Sequence, residues 1–257
     1  ATVINYCELT SFFCSPKSLK IKHVHFKDLL GDLEHSASVR AVVNATGPYT
    51  DAIRKMANPK LGSRMKVSRG AHIVLPKSFW PSETALLIPK TDDGRVVFLI
   101  PWRGYVLVGT TDDPDVISDR PEILESEKIY LLEYFNRFAK QKASMADISS
   151  HFVGQRPLLQ VQLNDALQSD TKSLVRDHEV EVDQRSKLVS IMGGKWTTYR
   201  VMASDTMDVV ETEVFHVKKS VCQTQHHALG ISASIDFSKE VLEGIMSTQT
   251  QQHLMET

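Results

Sequence analysis

Two adjacent glycines, Gly193 and Gly194, follow an apolar run at residues 187–192 and precede a helical pattern at residues 197–215. This order predicts a buried strand that turns sharply into the start of a helix. Because glycine has no Cβ, the backbone can pass close to a bulky ligand, and the first N–H groups of the helix point towards an acceptor. An ordinary turn with an exposed Lys195 fits the same residues. The inner face of the helix is predicted to hold Met202, Thr206, Val209, Val210 and Val214.

A shorter unit of the same kind lies near the start of the chain. The apolar run at residues 39–43 leads into Asn44-Ala45-Thr46-Gly47, and residues 50–56 predict a helix. The run is typical of a buried strand, and the small residues after it again let a ligand approach the backbone. Taken alone, the segment is equally typical of a plain tight turn.

The chain between these two units has a β pattern and then a helical one. Residues 71–75, 95–100 and 105–108 predict strands, of which the last two form a hairpin. Residues 120–142 predict an amphipathic helix, because apolar residues recur at intervals of three. The core face of this helix is predicted to hold Ile129, Leu132, Phe135 and Phe138.

The remaining segments carry weaker patterns. Apolar stretches at residues 3–4 and 19–24 suit strands at the rim of a sheet, whereas residues 151–182 suggest polar loops. The composition changes after Lys218, and a last helix is predicted to begin near Lys239.

The bulk composition excludes several classes of protein. The 257 residues carry a formal net charge of −1, so no basic field would draw in nucleic acid. No run of about 18 apolar residues predicts a membrane-spanning helix. The three cysteines lack metal-site spacing, and we expect buried thiols, although a bridge between Cys7 and Cys14 is an alternative. The start has no initiator Met, and the end stops inside a helical pattern without a cap, so we expect an internal piece of a longer protein.

Four cationic side chains at loops or strand ends are candidates for anion binding: His72, Arg156, Arg176 and Lys195. Arginine grips phosphate or carboxylate as a fork, and lysine acts as a point charge. Plainer roles fit the same residues, since Arg176 precedes Asp177 and a histidine in a strand is commonly structural. Asp112 and Asp113 are adjacent and so face opposite sides of a strand, which argues against an acidic pair.

The order of short motifs along the chain is more specific than any one of them. V-V-N-A-T-G-P at 42–48, G-A-H-I-V at 70–74, R-V-V-F-L-I-P-W at 95–102 and V-G-T-T-D at 108–112 come first. Q-R-P-L at 155–158, V-R-D-H at 175–178 and G-G-K-W-T-T-Y-R at 193–200 follow. This series resembles FAD-dependent glycerol-3-phosphate dehydrogenase of the respiratory, mitochondrial type. The chain differs from the usual pattern of that family at Arg69, Phe152 and Gln155.

The resemblance implies a mixed α/β (α+β) fold. It places the later part of a Rossmann-like FAD-binding domain at residues 1–50 and its returning segment at 186–216. Residues 51–185 would form a substrate domain on a mixed, largely antiparallel sheet, and residues 217–257 the start of a C-terminal helical region. No G-x-G-x-x-G occurs in the sequence, so the turn that binds the pyrophosphate of FAD is expected to be missing.

The resemblance also implies an activity: FAD would take a hydride from C2 of glycerol 3-phosphate, giving dihydroxyacetone phosphate. His72 would be the base, with Arg156, Arg176 and Lys195 at the substrate. Thr110 and Thr111 are implied as substrate contacts. Residues implied at the flavin are Ala45, Thr46, Gly47, Gly194, Lys195, Trp196 and Thr197.

In this family the electrons pass to ubiquinone, so the resemblance implies a peripheral contact with the mitochondrial inner membrane. It leaves oligomerisation open. Two other interpretations remain at this point. One is a truncated, non-catalytic product, and the other is a related flavin enzyme that acts on amino acids.

Overall fold

A computed structural model describes residues 2–160 and 178–227 of the chain. The first part of the chain forms an antiparallel meander of β1 (Cys7–Cys14), β2 (Ile21–Asp28) and β3 (Leu33–Ser38). The predicted strand at residues 3–4 is wrong, since both residues lie outside any strand and are exposed. Strand β4 (Val42–Asn44) and helix α1 (Thr50–Ala57) follow, as the sequence predicts.

The cysteines differ from the expectation of buried thiols. Cys7 and Cys14 are partly buried and lie at opposite ends of β1, while Cys222 is exposed. A strand rises about 3.3 Å per residue, so these two ends are too far apart for a disulfide bond.

A six-stranded sheet, which we call the large sheet, is built from residues 65–159. Its order is β10-β5-β8-β7-β6, and β9 pairs with β5 beyond the end of β8. All its described pairings are antiparallel. The strands are β5 (Met65–Pro76), β6 (Leu86–Ile88), β7 (Val97–Trp102), β8 (Tyr105–Gly109), β9 (Asp113–Asp115) and β10 (Ser150–Leu159).

One face of the large sheet holds the main core. Ile73 and Leu75 of β5 are fully buried there against Leu131 and Phe135 of helix α2 (Glu125–Phe138). The opposite face of the sheet carries the alternate residues of each strand, including His72.

The predicted core face of α2 is half right. Leu132 and Phe135 are buried, but Ile129 is 45% exposed and Phe138 is 49% exposed. Residues three apart are separated by 300° around a helix, so a row with this spacing drifts by 60° at each step. Its two ends therefore leave the buried face.

The prediction of polar loops at residues 151–182 is wrong in two places. β10 pairs with β5 along its whole length, from Ser150 opposite Val74 to Leu159 opposite Met65. Gly154 and Pro157 interrupt the strand pattern in sequence, whereas the pairing continues through both. β11 (His178–Val182) is a second strand in this stretch.

The last described part of the chain returns to β4. Strand β12 (Leu188–Gly193) pairs antiparallel with β11 and parallel with β4, with Leu188 opposite Val42. Helix α3 (Tyr199–Val209) follows, and its last turn continues as a π-helical segment, Val210–Val214. The strand-turn-helix prediction is thus confirmed. The helix predicted near Lys239 lies outside the described residues.

The elements together confirm the predicted mixed α/β class with a mostly antiparallel large sheet. A short helical turn, Gly47–Tyr49, packs against β5, β10 and β12, so the large sheet meets the β4–β12 pair there. Within the described residues, no helix combines the length and the apolar character needed to cross a membrane.

Candidate active site

His72 lies in the middle of β5, on the face of the large sheet opposite α2. Its ring stacks on the ring of Phe152 in β10, with centroids 4.6 Å apart and planes inclined by 8°. On the other side, Gly109 of β8 is its cross-strand partner. A Cβ on Gly109 would come within 2.6 Å of Nε2 of His72, so this glycine leaves the space that the imidazole occupies.

The surroundings of His72 favour a neutral imidazole. Burial lowers its pKa from the ordinary value of 6.5, and the positive charge of Arg156 lowers it further. The Nδ1 atom is buried and has no hydrogen-bond partner among the described residues. A neutral histidine with a depressed pKa is suited to accept a proton near neutral pH.

Arg156 of β10 lies over Gly70 of β5. A Cβ on Gly70 would come within 2.6 Å of Nη1 of Arg156, so this glycine makes room for the guanidinium. Gly70 and His72 are two residues apart in a strand and face the same side of the sheet. The structure therefore brings Arg156 and His72 to the same face of the sheet, which is compatible with what the resemblance implies.

The segment between β8 and β9 holds the guanidinium of Arg156. Nη2 donates to Oγ1 of Thr110 at 2.9 Å and to the carbonyl oxygen of Thr111 at 3.2 Å. Nη1 donates to Oδ1 of Asp112 at 3.3 Å. Asp113, the first residue of β9, instead accepts from Arg95, so the two acids face different partners, as the argument against an acidic pair predicts.

The side chain of Thr111 is not available for the substrate contact that the resemblance implies. It is fully buried, and its hydroxyl donates to Oε1 of Glu127 in α2 at 2.7 Å. Since α2 covers the core face of the sheet, this hydroxyl points away from His72. Thr110 is partly exposed and lies against Arg156, so its position is compatible with a substrate contact.

The glycine turn that ends β12 has positive φ at both Gly193 (70°) and Gly194 (80°). A Cβ on Gly194 would come within 2.6 Å of Sδ of Met202, so the lack of a side chain here allows α3 to pack closely. Lys195 and Thr197 are exposed, and Trp196 is 87% exposed. These three side chains are therefore accessible to a ligand.

The other glycine turn, Ala45-Thr46-Gly47, is anchored by Asn44. The buried Asn44 side chain donates from Nδ2 to the carbonyl oxygen of Thr50 at 3.0 Å and to Oγ of Ser190 at 3.3 Å. Its Oδ1 accepts from the hydroxyl of Thr46 at 2.7 Å. Gly47 has a φ of 58° and open space at its Cβ position.

The two glycine turns leave the same edge of a sheet. β4 and β12 are parallel neighbours, with Asn44 opposite Ser190, so residues 45–47 and 193–195 both follow the carboxyl ends of their strands. This edge is where open α/β sheets bind ligands. Arg176, the fourth predicted cation, lies outside the described residues.

Residues 1–200 of the chain match the family described as FAD dependent oxidoreductase. The chain belongs to this family. The position of the glycine turns at the carboxyl edge of β4 and β12 agrees with the membership, because such edges bind nucleotides.

Curated relatives of this chain include proteins named glycerol-3-phosphate dehydrogenase. A mitochondrial glycerol-3-phosphate dehydrogenase of Arabidopsis thaliana is 38% identical over 208 residues, which are 81% of this chain and 32% of that protein. The mitochondrial glycerol-3-phosphate dehydrogenase of Homo sapiens is 35% identical over 214 residues, 81% of this chain and 29% of its own. The chain therefore spans about a third of the length of these relatives.

A solved structure supports the same family. The glycerol-3-phosphate dehydrogenase of Bacillus halodurans, complexed with FAD, superposes with a TM-score of 0.72 at 31% identity. The match covers 85% of this chain and 40% of that one.

Sequence reasoning missed the residues that support the predicted cations. Gly70, Gly109 and Phe152 shape the space around His72 and Arg156. The two glycines, set within otherwise apolar strands, were an available signal, because a strand glycine often marks a close approach by another group. The stack with Phe152 depends on strand pairing, which the sequence does not state.

Proposed function

We propose that the protein that carries this chain uses FAD to oxidise sn-glycerol 3-phosphate to dihydroxyacetone phosphate. The observation that carries this proposal is the position of His72, whose pKa is lowered by burial and by Arg156, on the same sheet face as the guanidinium of Arg156. The similarity to proteins named glycerol-3-phosphate dehydrogenase supports the choice of substrate.

Each of the candidate side chains is assigned one part of the oxidation of a secondary alcohol. Oxidation at C2 removes the hydroxyl proton and a hydride; FAD, when bound, accepts the hydride. His72 takes the proton at Nε2, because Nδ1 is buried. We assign Arg156 and Arg176 to the phosphate or the developing carbonyl oxygen, and Lys195 to the junction of flavin and substrate.

The proposed FAD contacts lie at the carboxyl edge of β4 and β12. Ala45, Thr46 and Gly47 follow one strand, and Gly194 to Thr197 follow the other. The open space at the Cβ position of Gly47 and the exposed Trp196 fit a large planar ligand at this edge. Nitrogen–hydrogen groups at the start of the helical segment beginning at Trp196 are suited to electron-rich flavin atoms.

The finer features of the proposal concern the electron acceptor and the location. We assign ubiquinone as the acceptor and the mitochondrial inner membrane as the place of a peripheral contact. The names of the mitochondrial relatives support the organelle, and the acceptor rests on the family resemblance alone. An oligomer is compatible with this arrangement.

Substitution of the two central side chains tests the function. In the FAD-reconstituted gene product that carries this chain, we expect His72→Gln to lower kcat for glycerol 3-phosphate by about 100-fold or more. Arg156→Gln should raise KM for glycerol 3-phosphate far more than for glycerol, since glycerol lacks the phosphate. The measurement is substrate-dependent reduction of an artificial electron acceptor. The exposed His151 and Arg120 offer matched controls as His151→Gln and Arg120→Gln.

The pH profile gives an independent check. Because the folded-state pKa of His72 is lowered, kcat/KM should stay constant through pH 7 and fall only as the pH drops through a value below 6.5. No turnover of glycerol 3-phosphate by the wild-type holoenzyme would contradict the function. Turnover of amino acids instead would favour the related flavin enzymes, and failure of the gene product to bind FAD would favour a non-catalytic product.

A further inference from the structure

A buried carboxylate lies directly behind the proposed catalytic face. Glu127, in the first turn of α2, is 4% exposed. Its Oε1 accepts a hydrogen bond from the hydroxyl of Thr111 at 2.7 Å, and its Oε2 accepts one from the backbone N–H of Leu124 at 2.9 Å. Nε of Arg69 lies 3.5 Å from Oε1. A charge at this depth is costly unless such partners surround it, so the group is held in one place.

Thr111 connects this carboxylate to both functional side chains. Its hydroxyl accepts the backbone N–H of Ala71 at 2.9 Å, and Ala71 lies between Gly70 and His72 in β5. Its carbonyl oxygen accepts from Arg156 at 3.2 Å. Thr111 therefore contacts both β5, which carries the proposed base His72, and Arg156, which is proposed to bind the anion.

We propose that Thr111 and Glu127 are positioning residues, which fix the segment Thr110–Asp112 against β5 and thereby hold Arg156 beside His72. This inference rests on the proposed function for its kinetic part. Neither side chain reaches the face of the sheet that carries His72, so both act through other groups. Their hydrogen bonds run from helix α2 through the sheet to its far side.

The physical basis is the number of partners that depend on one hydroxyl. Without it, the N–H of Ala71 loses its described partner and Oε1 of Glu127 keeps only the longer ion pair with Arg69, which forces a local rearrangement in a buried region. The segment that cradles Arg156 is the part free to move, because it lies between two strands. A shift of about 1 Å in such a group can change a rate by about 100-fold.

A matched pair of substitutions tests the proposal. Thr111→Val keeps the shape of the side chain and removes the hydroxyl, whereas Thr111→Ser keeps the hydroxyl. In the FAD holoenzyme we expect Thr111→Val to lower kcat/KM for glycerol 3-phosphate by about 10- to 100-fold, mainly through KM. Thr111→Ser should recover most of the loss. Equal losses in both variants would overturn the proposal.

The pKa of His72 provides a readout that does not need turnover. Arg156 is the charged group that acts on this pKa, and it contacts Asp112; Arg69 and Glu127 pair on the opposite side of the sheet. Nuclear magnetic resonance of protein labelled at histidine Cε1, assigned with His72→Gln, should show this pKa rising in Thr111→Val and unchanged in Thr111→Ser. A variant that only loses thermal stability, with the wild-type pKa of His72, contradicts a positioning role.

A third substitution covers the case in which Thr111→Val does not fold. In Glu127→Gln, one end of the amide is a donor, so it cannot accept from both Thr111 and Leu124. We expect a loss in kcat/KM of about tenfold and the same rise in the pKa of His72. If the wild-type protein does not oxidise glycerol 3-phosphate, the proposed function fails, and the titration of His72 still decides the positioning role.

Discussion

Gly109 shows how strongly this site depends on a missing side chain. The imidazole of His72 occupies the volume where a Cβ of residue 109 would stand, and Arg156 uses Gly70 in the same way. Both glycines lie inside strands, where glycine is otherwise unfavourable. At the scale of single residues, the proposed catalytic face is thus built from two pairs, each consisting of a large side chain and an opposing glycine.

Gly109→Ala should therefore displace the imidazole of His72 while leaving the fold intact. We expect kcat to fall by about 100-fold and the titration of His72 to change, because a methyl group would overlap the ring. Gly154→Ala is the matched control, since nothing lies within 4 Å of a Cβ at that position. An unchanged titration of His72 in Gly109→Ala would contradict this explanation.

At the scale of elements, charged groups join α1 to β11. Arg54 of α1 is 2% exposed and donates to Oε1 of Glu181 from Nε at 2.9 Å and from Nη2 at 2.7 Å. Oε2 of Glu181 accepts from Arg64 at 3.0 Å. These contacts hold α1, which follows the glycine turn at residues 45–47, against β11. Because β11 pairs with β12, they also tie α1 to the strand that ends in the glycine turn at residues 193–194.

Glu181→Gln should destabilise the fold, because the buried guanidinium of Arg54 loses a charged partner. We expect the free energy of unfolding to fall by about 1.5–3 kcal/mol, measured by urea denaturation. Glu179→Gln is the comparison, since Glu179 pairs with Arg64 near the surface and its loss should cost about 1 kcal/mol or less. Equal losses for the two variants would show that the burial of Arg54 has no special weight.

The elements also show which features a sequence can predict. The glycine turns, α1, α2 and the hairpin of β7 and β8 were predicted because each has a local pattern. β10 was missed because Gly154 and Pro157 interrupt the strand pattern in its sequence, whereas the pairing with β5 continues through both. The approach of Arg156 to His72 could be proposed only through family resemblance, since it depends on the register of two strands and the two residues lie 84 positions apart in sequence.

At the scale of the whole molecule, the described sheets hold one part of the proposed flavin site. The chain contains both glycine turns of the β4–β12 edge but no G-x-G-x-x-G. The N–H groups that such a motif aims at a pyrophosphate are a main source of affinity for FAD.

The 257 residues expressed alone should therefore bind FAD weakly. We expect no flavin to remain with the purified chain after gel filtration, measured by its absorbance in the visible range. A gene product that also carries a G-x-G-x-x-G upstream of these residues should retain about one FAD per chain. A yellow, stoichiometric complex of the 257 residues would contradict this prediction.

The parallel pairing of β4 with β12 has a consequence for how such a protein can change. Val42 and Leu188 are neighbours in the sheet, yet every strand of the large sheet comes from the chain between them. The large sheet is thus an insertion between β4 and β12, two strands that lie side by side in another sheet. Under the proposed function, exchange of this insertion would change the substrate, while β4 and β12 kept their places at the proposed FAD site.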